Sequence, residues 1–546
     1  MVSFRTDDMN LSLTNTSPSK NRRSDFDCDV LVIGGGPAGC WAALEAVATN
    51  ANVVLVEKGY CGSSGATASA GTQIWYVKPD PEEREAAMAS REAMGGYLSD
   101  RDWMRPVLDK TFESVNRLAD WGYPFPRDES GEQQRISVQG PEYMRLLRRK
   151  VKNAGVTILD HHPATHLLVD GDRVAGATGI VQQGGGEWQV IAGAVVLAAG
   201  GCAFMSKALG CDVLTGDGYL MGAEVGAELS GMEFSSAYAI SPAFASITKT
   251  ALYRFAQFYR KDESLIEGAG SARGRSIIAR TLLSEPVFAR LDLAETDEVR
   301  TILRQAQPNF FVPFDRRGID PFTQMFEVKL RLEGTVRGTG GLRLTGLDCA
   351  TTVPGLYAAG DNATREPICG GFTGGGSHNA AWAIASGSFA GVAAAGFAKA
   401  NAKPHSISDP QAENFARNPS HYADPTAILA AVQNEVFPLD INYFRTHDVL
   451  SAALKRLDSL WDDIKTAVPV DENGTLRLRQ AQAMTATARY MYKAAISRTE
   501  TRGMHRRDDF PKQDPAQHHR LVLSGLDDIL IRSEPAGSDL LPEVAE

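Results

Sequence analysis

The sequence predicts an α/β fold: a Rossmann-like, dinucleotide-binding sheet, interrupted by a long insertion and followed by a helical region. Three observations predict it. Asp27–Ala46, "DCDVLVIGGGPAGCWAALEA", runs an apolar strand into three glycines and then a helical pattern. "VVLAAGG" (195–201) and "VPGLYAAGD" (353–361) repeat the plan of a short apolar strand ending in glycine. The last third carries apolar residues at helical spacing, among them Leu450, Leu454, Leu457 and Trp461.

At the first site Asp29–Ile33 reads as a buried parallel strand and Trp41–Ala48 as a helix. Gly34, Gly36 and Gly39 supply the G-x-G-x-x-G spacing: a tight turn, close approach to a pyrophosphate, and tight helix–strand packing. The helix start offers free N–H groups and a positive dipole end to the anion. A second strand, Val53–Val56, ends in Glu57, whose carboxylate suits ribose hydroxyls and would repel a 2′-phosphate. NAD and FAD both satisfy this half.

The far end of the chain separates them. Gly360-Asp361 closes a strand about 300 residues later, so a long insertion returns to the same sheet. FAD folds do this, because their second half reaches the ribityl chain and the flavin ring. "CGGFTGGGSHN" (369–379) then leads into an Ala-rich helix, where N–H groups would face the flavin and stabilise charge on its reduced ring.

Composition sets limits. A chain of 546 residues predicts two to four domains or lobes. Its net charge of −10 argues against nucleic acid as the main partner. Residues 1–24 read as a polar, disordered arm; Arg22-Arg23 lacks the apolar core that export needs. No segment approaches the ~18–20 unbroken apolar residues of a membrane span, so a cytoplasmic location is expected. Seven scattered cysteines without a C-x-x-C pair imply reduced thiols and no metal or iron–sulfur site in this chain. Cys369, inside the Gly-rich loop, is the one thiol that stands out by its position.

The ordered motifs "VIGGGPAG", "VEKG…SSGATASAG", "VVLAAGG", "TGDG", "PGLYAAGD" and "RTETRGMHRRDDFP" resemble the fumarate reductase/succinate dehydrogenase flavoprotein family, which includes L-aspartate oxidase and the adenylylsulfate reductase α-subunit. The likeness runs from about residue 27 to 515. It implies a Rossmann-like FAD-binding domain of the glutathione-reductase type in two parts (25–234 and 346–405), an inserted α+β capping domain (235–345), a helical C-terminal domain (406–533) and a frayed tail (534–546). FAD is then a bound tool. The resemblance places against it Gly34, Gly36, Pro37, Ala38, Gly39, Glu57, Lys58, Ser64, Gly65, Ala66, Thr67, Ala70 and Gly71. Ala199, Gly200, Asp217, Gly360, Asp361, Gly376, Ser377, His378 and Asn379 complete that set. No histidine stands in Ser64–Gly71, where covalent members carry one, so the FAD is expected to be non-covalent.

For chemistry, the resemblance implies Arg275, in "GRSIIARTLL", as the residue that hands a proton to substrate, with Arg280 about a turn further on. Such a role needs desolvation beside an acid, since a free guanidinium has a pKa above ~12. Three departures count against succinate or fumarate. Ser235-Ser236 follow Met232-Glu233-Phe234 where a histidine is usual, Val336-Arg337 replace another, and Phe372-Thr373-Gly374 stand where an arginine belongs. Near the flavin face this leaves Arg275, Arg337, His378 and Tyr238: Arg337 to grip an anion, His378 as acid/base or wall residue. Arg343 reads as a surface residue, Arg498–Pro511 as a solvated ion-pair cluster, and Val468–Arg477 as a turn between helices.

The expected function is an FAD-dependent oxidoreductase acting on a small, anionic organic substrate, nearest the adenylylsulfate-reductase-like branch. Its electrons would pass to or from a ferredoxin-like iron–sulfur subunit. An oxygen-dependent oxidase of an amine or amino acid, and a flavin-holding subunit inactive alone, are the competing readings. Homo- and hetero-oligomers both stay open.

Overall fold

The computed structural model describes residues 23–248, 250–373, 377–411, 421–468 and 472–537. Most of the expected disordered arm therefore lies outside the described residues. Its last two residues, Arg23 and Ser24, do not belong to an arm: they open the strand Arg23–Ile33, pairing with Glu187 and Trp188.

That strand is central to an eight-stranded sheet. Val53–Glu57 lies on one side in parallel register (Val30 opposite Val53), and Thr157–Asp160 lies beyond it. Glu187–Leu197 lies on the other side, Leu31 opposite Val195. Val30–Ile33 and Val53–Val56 are buried, as strands covered on both faces must be. Leu356–Ala358 adds in parallel to Glu187–Leu197, with Leu356 opposite Val195, so the insertion does return to the same sheet.

Helix Pro37–Ala48 starts on proline after Gly36 and presents small residues to helix Ser377–Ala400. A Cβ on Gly387 would lie 2.3 Å from the Ala38 carbonyl oxygen, and one on Gly391 2.2 Å from that of Ala42. This close crossing explains why Ser377–Ala400 is long and apolar enough to span a membrane on composition alone; it is mostly buried, packing on Pro37–Ala48 and the large sheet.

The insertion forms a second, antiparallel sheet in the order Tyr238–Pro242, Phe326–Leu332, Val287–Arg290, Gln257–Tyr259. It has its own core, centred on Phe310, Phe311, Phe314 and Phe326.

Helices Pro425–Val436, His447–Ile464 and Glu472–Ser497 follow. The last begins within the stretch expected to be a turn. Two further strands, His519–Ser524 and Leu530–Pro535, correct the all-helical expectation for this region. They join Leu229–Ser230 and Gly341–Leu342 in a four-stranded sheet that ties the C-terminus to both ends of the insertion. Glu534, expected in a frayed tail, sits in that sheet and accepts from Arg343 Nε at 2.7 Å, so Arg343 is half-buried in an ion pair. Residues 538–546 lie outside the described residues.

The Arg498–Arg507 part of the Arg498–Pro511 segment is largely buried, and only Asp508–Pro511 at its end stay exposed as a group. Arg498, Glu500, Arg502, His505 and Arg507 are all buried. Arg498 Nε donates to Glu233 (2.8 Å) and Nη1 to Glu500 (2.9 Å), and Arg502 also binds Glu500 (2.6 Å). The network fixes the Met232–Phe234 turn from behind. Charges at this depth hold only because each is paired and hydrogen-bonded.

Candidate active site

A cavity of about 490 Å³ runs from the phosphate-type turn to the inserted sheet. The turn is built as its glycines require. Gly34 has φ +110°, and a Cβ there would lie 2.3 Å from the Ala198 carbonyl oxygen. A Cβ on Gly39 would lie 1.8 Å from the Gly34 carbonyl oxygen, so Gly39 serves packing and is not itself on the cavity wall. Gly36 is different: a Cβ there would meet nothing within 4 Å, because the space beyond it is the cavity. No side chain caps the helix that starts there, which leaves first-turn N–H groups free for an anion.

Glu57 is fixed by two backbone donors, Gly35 N–H to Oε2 (2.7 Å) and Gly59 N–H to Oε1 (2.8 Å). Lys58 bridges to Asp217 (2.5 Å) and Thr215 (2.8 Å), which draws the "TGDG" segment onto the end of the first βαβ unit. Ser64, Gly65, Ala66, Thr67, Ala70, Gly71, Ala199, Gly200, Gly360, Asp361 and Asn379 all line the same cavity, with Pro37 and Ala38. Asn379 donates its amide to the Val336 carbonyl (2.8 Å), while its buried Oδ1 has no donor. The open glycine, the uncapped helix start, the fixed acid and the orphaned acceptor fit a dinucleotide with a polar ring.

Gly376 lies outside the described residues. Ser377 and His378 are not among the described residues that line the cavity. The His378 ring packs on Trp75 with centroids 4.7 Å apart, and its Nδ1–H donates to the Thr373 carbonyl (3.0 Å). Burial, helped by the nearby Arg91, pushes its pKa down to about 3, so it stays neutral as a packed interior residue. Cys369 is buried and its thiol is pushed up to about 12 by desolvation, the reverse of a reactive cysteine. Tyr238 also turns away: its hydroxyl donates to the Val436 carbonyl (2.8 Å). Residues that the sequence did not flag also line the cavity, including Gln139, His162 and Pro163. They follow no motif; the end of Thr157–Asp160 simply delivers His162 beside Glu57, where its N–H donates to the Glu57 carbonyl (2.8 Å).

Arg275 and Arg337 meet at the other end of the cavity. Arg275 donates to the Tyr238 carbonyl (3.1 Å) and the Ser271 carbonyl (2.7 Å); among the described residues it forms no ion pair, and its buried Nε has no partner. Burial and the neighbouring positive charge of Arg337 lower its pKa. Arg337 binds Glu333 (3.3 Å), which also accepts from Thr248 (2.7 Å). Arg280, by contrast, is spent on Asp508 (3.0 Å) and the Phe444 ring (3.6 Å).

Comparison with known proteins agrees with this geometry. Residues 29–242 match the FAD binding domain family, and residues 434–535 match the fumarate reductase flavoprotein C-terminal family. The chain belongs to the fumarate reductase/succinate dehydrogenase flavoprotein family. It is an FAD-dependent oxidoreductase. It is 24% identical to a fumarate reductase (CoM/CoB) subunit of Methanothermobacter marburgensis, over 91% of this chain and 97% of that one. Two solved structures share the fold. Escherichia coli quinol fumarate reductase superposes with a TM-score of 0.82 at 20% identity, covering 95% of this chain and 98% of the other. Adenylylsulfate reductase of Archaeoglobus fulgidus does so with 0.78 at 19%, covering 96% and 98%.

Proposed function

We propose that this flavoprotein exchanges hydride between a small, anionic organic substrate and non-covalently held FAD, with electrons passing to or from a separate iron–sulfur chain. The observation that carries the reading is the single cavity whose one end is a dinucleotide cradle and whose other end holds Arg275 and Arg337. Bound FAD supplies the two-electron chemistry. Arg337, fixed by Glu333, orients the anion. Arg275 holds or delivers the proton at its guanidinium, helped by the lowered pKa that burial and Arg337 produce. Succinate and fumarate are disfavoured, because Ser235, Val336 and Phe372-Thr373 stand where the family's usual dicarboxylate ligands would be. The adenylylsulfate-reductase-like branch lacks those histidines as well, and the Methanothermobacter relative, being one chain of a larger reductase by name, supports a multi-chain enzyme.

The test is purification of the natively expressed protein, with a visible spectrum and mass analysis of what accompanies it. FAD released on denaturation together with an iron–sulfur polypeptide is the expected result. FAD alone, reoxidised rapidly in air with peroxide formed, would replace the reductase reading by an oxidase. Absence of flavin would refute the reading altogether.

A further inference from the structure

The insertion end of the cavity carries a third arginine that no family motif contains. Arg254 lies in the short turn Leu252–Phe255, next to Tyr253. The Tyr253 ring is locked among Phe258, Phe310 and Phe326, at centroid distances of 6.4, 5.9 and 6.4 Å. The turn is therefore rigid. Arg254 lines the cavity and is exposed, and among the described residues its guanidinium makes no hydrogen bond or ion pair.

The charge arrangement around it is one-sided. The carboxylates that line the cavity, Glu57, Asp217 and Asp361, belong to the FAD-binding half. The insertion end presents Arg254, Arg275 and Arg337 with the hydroxyls of Thr250 and Ser271, and no acid among its lining residues. Arg275 feels the positive charge of Arg337, and a concave site lined by one sign of charge concentrates anions. Arg275 is tied to backbone carbonyls and Arg337 to Glu333. Arg254 alone of the three offers all its donors, in the fork geometry that suits an oxyanion.

We propose that Arg254 selects the substrate by binding an oxyanion group, carboxylate or tetrahedral oxyacid, remote from the carbon that exchanges hydride. This rests on the function proposed above, with Arg275 and Arg337 nearer the reacting centre. The grip on the anion has thus moved from the Gly-rich loop, where the family carries an arginine, to the inserted domain.

The experiment titrates the purified holoprotein with acetate, sulfate and inorganic phosphate, and with neutral acetamide, following flavin absorbance and heat together. Wild type should bind at least one anion and not acetamide. Arg254→Gln should weaken that binding about tenfold, Arg254→Lys less, with the melting temperature unchanged. Arg105→Gln, which removes an exposed charge paired to Asp102 outside the cavity, should change nothing. Preference for acetate assigns a carboxylate substrate; preference for sulfate or phosphate assigns a tetrahedral oxyacid. Equal binding by wild type and Arg254→Gln, an equal loss in Arg105→Gln, or no anion binding at all would overturn the proposal. Protein isolated without FAD would refute the proposed function instead, while the heat measurement would still report on Arg254.

Discussion

Replacing Gly36 with Ala should separate cofactor binding from folding. Gly36 has φ −72° and ψ −176°, which alanine adopts freely, and its Cβ would meet no protein atom within 4 Å. Two small effects on the apoprotein oppose each other. Alanine reduces unfolded-chain entropy, a gain of about 0.4–1 kcal/mol, but is a poorer helix N-cap by a similar amount, about 0.5–1 kcal/mol. Apoprotein stability should then change by less than about 1 kcal/mol. The methyl group does intrude on the space where the backbone would approach the pyrophosphate. Losing one charge-assisted hydrogen bond there costs about 1.5–3 kcal/mol, or roughly 10- to 150-fold in FAD affinity. Gly39→Ala is the counterpart: its Cβ would fall 1.8 Å from a backbone oxygen, so strand and helix must part. That should cost at least about 3 kcal/mol of stability. The assay is FAD titration of deflavinated protein by fluorescence quenching, beside thermal melts of each apoprotein. Wild-type FAD affinity in Gly36→Ala would refute the placement of the pyrophosphate, and an unchanged melt in Gly39→Ala would refute the packing argument.

Arg275→Gln should lower kcat at least 100-fold while leaving FAD content and melting temperature near wild type; a change confined to KM would make Arg275 a binding residue only. His378 gives a pH dependence of stability. Its folded pKa of about 3 lies below the ordinary 6.5, so the unfolded chain takes up its proton first as pH falls. The stability it contributes is present above pH 6.5 and is lost between 6.5 and 3, about 2 kcal/mol of it by pH 5. Urea melts of wild type and His378→Asn at pH 7 and 5 should show the gap between them shrink by that amount; a constant gap would mean the imidazole is not held neutral. Arg498→Ala leaves Glu233 and Glu500 short of a partner in a buried network and should cost about 3–5 kcal/mol in denaturant unfolding.

The sequence by itself determined the parts of this protein that are local. A parallel strand buried on both faces must be apolar, and a turn that meets a phosphate must be glycine, so Asp29–Ile33, Gly34, Gly36, Gly39 and Glu57 were legible within one short window. The same logic at Gly360-Asp361 placed the second half of the FAD cradle, because the strand before it had to rejoin the same sheet.

Only the tertiary structure decided what depends on direction and depth. Whether His378 faces a cavity or Trp75 is set by how helix Ser377–Ala400 crosses Pro37–Ala48, through contacts of Gly387 and Gly391 with the carbonyls of Ala38 and Ala42, far away in the chain. Arg498, Glu500, Arg502 and Arg507 look solvated in a sequence, yet are interior, and Arg498 finds its matching charge in Glu233, 265 residues away. Arg254 carried no motif at all. Its place in the cavity lining comes from an insertion that folds around its own aromatic core. Side-chain chemistry is written residue by residue, but convergence of side chains is a property of the packed chain.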